Sequence, residues 1–146
     1  MSRNVLITGS TSGIGLGIAE AFAKNGDNIV FNGLEENGAE IAKSIGEKYG
    51  VKSVFKNSNL MTPEGVQELV DFAYSEMGSV DVLVNNAGIQ HVAPIENFPI
   101  EKYQQNYTLI ATPAEGLSGR FLNMDRKEYG IIPGVTDREY YTNSFH

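Results

Sequence analysis

The stretch Thr8-Gly9-Ser10-Thr11-Ser12-Gly13-Ile14-Gly15 decides how the rest of this sequence is read. Its glycines let a chain turn sharply and let its backbone approach an anion with no Cβ in the way. Immediately before it, Val5-Leu6-Ile7 is a short apolar run of the kind that forms a buried parallel strand. After it, Ile14, Ile18, Ala21 and Phe22 recur at helical spacing until Asn25-Gly26, where glycine suits a helix C-terminus. A glycine turn between a strand and a helix aims the helix's unpaired N–H groups and positive dipole end at a phosphate. Thr8, Gly9, Ser10, Ser12, Gly13, Ile14 and Gly15 are therefore candidate binding residues, with the hydroxyls of Ser10, Thr11 and Ser12 as extra donors. A bare tight turn is the competing explanation.

Working outward, the alternation continues. Asn28-Ile29-Val30-Phe31 reads as a second strand, and Ala39, Ile41, Ala42 and Ile45 mark a helix that ends near Tyr49-Gly50. Lys52-Ser53-Val54-Phe55 is a third strand. Thr62 and Pro63 then suit an N-cap and first helical position ahead of Val66, Leu69, Val70, Phe72 and Ala73. Val80-Asp81-Val82-Leu83-Val84 is the fourth strand. This pattern predicts an α/β fold, a Rossmann-like three-layer α/β/α unit with a truncated parallel sheet of order 3-2-1-4. The fourth strand is apolar on both faces, and an open edge there predicts self-association. Past about residue 105 the sequence becomes turn-rich, so residues 1–105 are expected to form the partial Rossmann domain and 106–146 an irregular tail.

Composition narrows the function classes. Of 146 residues, 41% are apolar and 20% charged, which suits a globular domain. A formal charge of -7 argues against a nucleic-acid backbone binder, and the absence of cysteine excludes disulfides, thiolate metal sites and a cysteine nucleophile. The start of the chain lacks a signal-peptide pattern, and no apolar run approaches the ~20 residues of a membrane span, so a cytoplasmic protein with no membrane partner is expected.

A second marker, Asn85-Asn86-Ala87-Gly88, closes the fourth strand, at the end where open α/β sheets receive ligands. Alone it is an ordinary turn. Together, TGSTSGIG and NNAG resemble the short-chain dehydrogenase/reductases, and NNAGIQHVAPIENFP at 85–99 resembles the D-3-hydroxybutyrate dehydrogenases in particular. The resemblance covers about residues 5–103. It implies that Ser12, Gly13 and Ile14 hold the cofactor pyrophosphate, that Gly9 and Gly15 shape the turn, and that Leu34 lines an adenosine pocket. Asn59 and Leu60 correspond to an Asp-Leu or Asp-Val pair near the adenine, with Asn in place of Asp. Asn86, Ala87 and Gly88 fall on the ribose and nicotinamide side, and Gln90 would meet the carboxylate of a short hydroxyacid. No Arg or Lys follows the second strand, while Glu35 and Glu36 would repel a 2′-phosphate, so NAD is expected over NADP.

The same resemblance brings an expected absence. The family's hydride transfer uses a Tyr as general acid/base, a Lys four residues on and a preceding Ser, yet none of the 7 tyrosines here is followed by Lys at that spacing. Ile110 stands near the position of the family's structural Asn. No catalytic residue is assigned, and the chain is expected to be catalytically incomplete. In the tail, ATPAEGLSGRF, IPGVTD and YYTNSFH resemble a fragment of the anaerobic ribonucleoside-triphosphate reductases over about residues 106–146, which implies a chimera. A non-catalytic interaction domain that merely inherits the turn is the alternative from another class. His91, His146, Ser118 and Tyr140-Tyr141 read as solvated or packing residues, and no carboxylate pattern suggests a metal.

Overall fold

The computed structural model describes residues 2–87 and 100–101. Strands and helices alternate as β1 (Asn4–Ile7), α1 (Gly13–Lys24), β2 (Asn28–Asn32), α2 (Gly38–Tyr49), β3 (Ser53–Lys56), α3 (Pro63–Met77) and β4 (Val82–Val84). All strand pairs are parallel, in the order β3-β2-β1-β4. The fold class and strand order are those expected from the pattern of apolar residues. Element boundaries move by one or two positions: β3 ends at Lys56, and β4 starts at Val82, with Val80 buried just ahead of it.

The register makes the layers. Leu6 pairs with Val30 on one side and Leu83 on the other. These residues share one sheet face, where they pack with Leu60 and with Val66, Leu69, Val70 and Ala73 of α3. Their neighbours in sequence, Val5, Ile7, Ile29, Phe31, Val82 and Val84, point to the opposite face and pack with Ala19 and Ala23 of α1 and Ala42 and Ile45 of α2. Both faces of β1 and β2 are thus covered, which is why those strands are almost uninterrupted apolar runs. The same two layers cover β4: Val82, Leu83 and Val84 are all buried, although among the described residues β4 pairs only with β1. Thr62 starts α3 as expected, its Oγ1 accepting from Gly65 N at 3.0 Å ahead of Pro63.

At the opposite end of the sheet from the glycine turn, β1 is tied to the α1–β2 connection. Asp27 has a side chain only 3% exposed and receives Arg3 Nη2 at 3.1 Å and Arg3 N at 3.3 Å. The Arg3 guanidinium also lies 5.8 Å from the centre of the Phe22 ring. Burial pushes the Asp27 carboxyl up, but the hydrogen bonds from Arg3 and Asn25 outweigh it and hold the group below its ordinary value. A depressed folded pKa means that the stabilisation is complete above the ordinary carboxylate range and is lost as pH falls through the folded value. Asp27→Asn is expected to cost about 1–3 kcal/mol in urea unfolding at pH 7. The gap from wild type should close in acid; equal stability at pH 7 would show that the pair contributes nothing.

Candidate functional site

The carboxyl ends of β1, β2, β3 and β4 surround one cleft of about 400 Å³. Its floor is the glycine turn, and backbone distances explain why the glycines stand where they do. Gly9 (φ 61) and Gly13 (φ 55) adopt the left-handed region that side chains avoid. A Cβ on Gly15 would collide with Gly9 O and come within 2.5 Å of Asn86 Nδ2, and one on Gly9 would lie 3.0 Å from Ala87 Cα. At Gly13, by contrast, a Cβ would meet nothing: the space over it is open.

The two sequence markers are welded together. Asn86 Nδ2 donates to Thr8 O at 3.3 Å and Gly9 O at 3.1 Å, while Thr8 Oγ1 accepts from Asn86 N at 3.0 Å and Ala87 N at 2.9 Å. Thr8 is buried and acts as a bracket between the ends of β1 and β4. Ser10 has a matching part toward β2. Its hydroxyl donates to Ile7 O at 2.7 Å and accepts from Asn32 N at 3.0 Å, and its own N–H donates to Asn32 O at 2.7 Å.

The hydroxyls expected as extra donors are engaged within the protein. Ser10 is fully buried, with its hydroxyl turned into the frame instead of the cleft. Thr11 is buried too, and its hydroxyl donates to Glu35 Oε2. Ser12 is exposed at the cleft, but it donates to Glu35 Oε1 at 3.0 Å and makes no side-chain cap at the start of α1. The Thr11 hydroxyl, aided by the backbone and Ser12, holds the Glu35 carboxyl below its ordinary value against the opposing effect of burial.

Apolar side chains stand at the cleft's β2–β3 end. Ile14 is 75% and Leu34 69% exposed, and Met61 beside them is also exposed, an unusual grouping for large apolar residues that face no core. Leu60 lines the cleft but is itself buried in the α3 layer. Asn59 is exposed, and its Oδ1 accepts from Met61 N at 3.0 Å, closing a local turn that an aspartate at this position could equally form. Met61, Asn32, Gly33 and Ser58 line the cleft without having been singled out by sequence. Ser58 Oγ is buried and has no hydrogen-bond partner among the described residues. Among the lining residues there is no Lys or Arg, and among the described residues no cluster of His, Asp or Glu suits a metal. Gly88, Gln90 and His91 lie outside the described residues.

Comparison with known proteins agrees with this geometry. The family model for short chain dehydrogenase matches residues 3–135, a match that continues past the boundary expected near residue 105. A D-beta-hydroxybutyrate dehydrogenase from Cupriavidus necator is 38% identical over 134 residues, covering 91% of this chain and 52% of that protein. A diacetyl reductase [(S)-acetoin forming] from Staphylococcus epidermidis is 44% identical over 96 residues, covering 65% of this chain and 37% of its own. Among solved structures, L-sorbose reductase from Gluconobacter frateurii, complexed with NADPH and L-sorbose, superposes with a TM-score of 0.78 at 38% identity, over 84% of this chain and 47% of that one. An alcohol dehydrogenase from the archaeon Thermococcus sibiricus, complexed with 5-hydroxy-NADP, gives 0.79 at 25% identity over 84% of this chain and 53% of that one. The chain spans about half the length of the hydroxybutyrate dehydrogenases it matches. With its glycine turn, its parallel 3-2-1-4 sheet and a family match across most of its length, the chain belongs to the short-chain dehydrogenases.

Proposed function

We propose that this chain is the NAD(H)-binding part of a short-chain dehydrogenase that moves hydride between NAD and a short 3-hydroxy acid. The observation that carries the proposal is the glycine turn at the edge of the cleft: Gly13, at the N-terminus of α1, has a positive φ and open space where a Cβ would stand, and the adjacent Gly15, which lines the cleft, is too close-packed to tolerate a Cβ. A pyrophosphate fits that space, where the backbone N–H groups of the first helical turn would hold it. Ile14, Leu34 and Met61 would receive the adenine, an apolar disc that their exposed side chains suit. Asn86 and Ala87 would border the ribose and nicotinamide. When bound, the nicotinamide ring supplies the hydride donor or acceptor.

The choice of NAD over NADP is supported by charge. Glu35 follows β2 with its carboxyl held below the ordinary value, and among the described residues no cation lines the cleft to neutralise a 2′-phosphate. The hydroxy-acid substrate is supported by the likeness to hydroxybutyrate dehydrogenases and, by resemblance, by Gln90. None of the 7 tyrosines is followed four residues on by Lys, so residues 1–146 are proposed to bind the cofactor without completing the proton transfer themselves. A separate origin for residues 106–146 rests on the tail peptides alone. The unpaired side of β4 among the described residues supports association with a further strand.

Titration of the purified chain with NADH, followed by cofactor fluorescence, is expected to saturate, and Gly13→Val is expected to abolish binding by filling the open space and straining a positive φ. NADPH is expected to bind on the order of tenfold more weakly or worse, equivalent to about 1.4 kcal/mol. No saturable binding, or binding untouched by Gly13→Val, would rule out this site. Sedimentation velocity is expected to show a concentration-dependent dimer or larger species, and a monomer at all concentrations would count against association through β4.

A further inference from the structure

Ser12 sits where a helix-capping serine belongs, yet it does not cap. As N-cap residue of α1 it would ordinarily turn its hydroxyl onto the N–H groups of the first helical turn. Its backbone is extended (φ -155, ψ 166), which permits that bond, but the side chain makes none. The hydroxyl instead donates to Glu35 Oε1 at 3.0 Å. The other carboxylate oxygen, Oε2, is taken by the buried hydroxyl of Thr11. Gly33 makes the arrangement possible, because a Cβ there would collide with Thr11 Oγ1 and lie 2.6 Å from Glu35 Oε2.

We infer that Glu35 is a positioning residue for the dinucleotide: by gripping Thr11 and Ser12 it fixes the glycine turn to the end of β2 and keeps the Ser12 hydroxyl off the α1 N-terminus, leaving those N–H groups free for the pyrophosphate. The inference rests on the cofactor proposal above and adds to it a part for Glu35 beyond charge. A carboxylate that only repelled a 2′-phosphate would need no contact with the turn. Here both of its oxygens are engaged by successive residues of that turn, one buried and one at the cleft. Without Glu35, the Ser12 hydroxyl has the adjacent helix N-terminus as its nearest alternative partner, in competition with phosphate.

The test is a double-mutant cycle on the full chain, read as NADH affinity by fluorescence, with far-UV circular dichroism to confirm folding. Glu35→Ala and Thr11→Val are each expected to weaken NADH roughly tenfold, about the effect of one hydrogen bond to a charged group. The double mutant should be no weaker than Glu35→Ala alone, because that change already breaks the link to Thr11. Glu35→Gln, which keeps an acceptor oxygen, should recover most of the affinity. Adding Ser12→Ala to Glu35→Ala should also restore binding in part, since it removes the competing cap; a merely structural loss would not be repaired by a further deletion. Unchanged NADH affinity in Glu35→Ala, or losses that multiply in the double mutant, would overturn the positioning role while leaving the cofactor site intact. Absence of NADH binding by the wild type would instead bring down the cofactor proposal and this inference together.

Discussion

The close approach of two backbone segments, the turn after β1 and the turn after β4, is the constraint on which the site depends. Asn86 reaches across to the carbonyls of Thr8 and Gly9, and Gly15 at the start of α1 passes so near Gly9 that a methyl group cannot be fitted between them. That approach fixes where α1 begins and so where its unpaired N–H groups point. It also leaves no room for a side chain at Gly15, which lines the cleft. The parallel sheet supplies the frame: with β1 and β4 adjacent, the ends of both strands open on the same side.

Around that approach the polar residues divide into two sets. Thr8, Ser10 and Asn32 are buried and spend their hydrogen-bonding capacity on the frame, joining β1 to β2 and β4. Ser12, Glu35 and Asn59 are exposed and stand at the rim. The buried set makes the turn rigid and the exposed set gives it chemistry; Thr11, buried but bonded to Glu35, links them. A rigid backbone floor with few but well-held polar groups suits recognition of a phosphate by N–H dipoles more than by cationic side chains, in keeping with a chain of net charge -7.

Much of this was legible in sequence because it depends on residue types whose geometry is nearly forced. Glycines 9, 13 and 15 between an apolar run and a helical period leave little else to build, and the alternation of strand and helix leads to the 3-2-1-4 order through right-handed crossovers. The direction of the hydroxyls was not legible. Ser10, Thr11 and Ser12 are adjacent and chemically alike, and only the packed structure separates Ser10 under Asn32 from Ser12 at the cleft. Met61 and Ser58 escaped notice for a related reason: their part comes from the loop after β3 lining the same cleft as Leu34, a juxtaposition of residues distant in sequence. The burial of β4 on both faces was implied by its apolar composition, but its coverage followed only from the two-layer packing of Leu83 against one side and Val82 and Val84 against the other.

The central claim is that a dinucleotide binds on the glycine floor between these turns. The most direct measurement is backbone amide hydrogen exchange with and without NADH. The account predicts new protection concentrated in the segments 9–15, 32–35, 58–61 and 86–87, strongest at the start of α1. Protection confined to other segments, or none at saturating NADH, would contradict it.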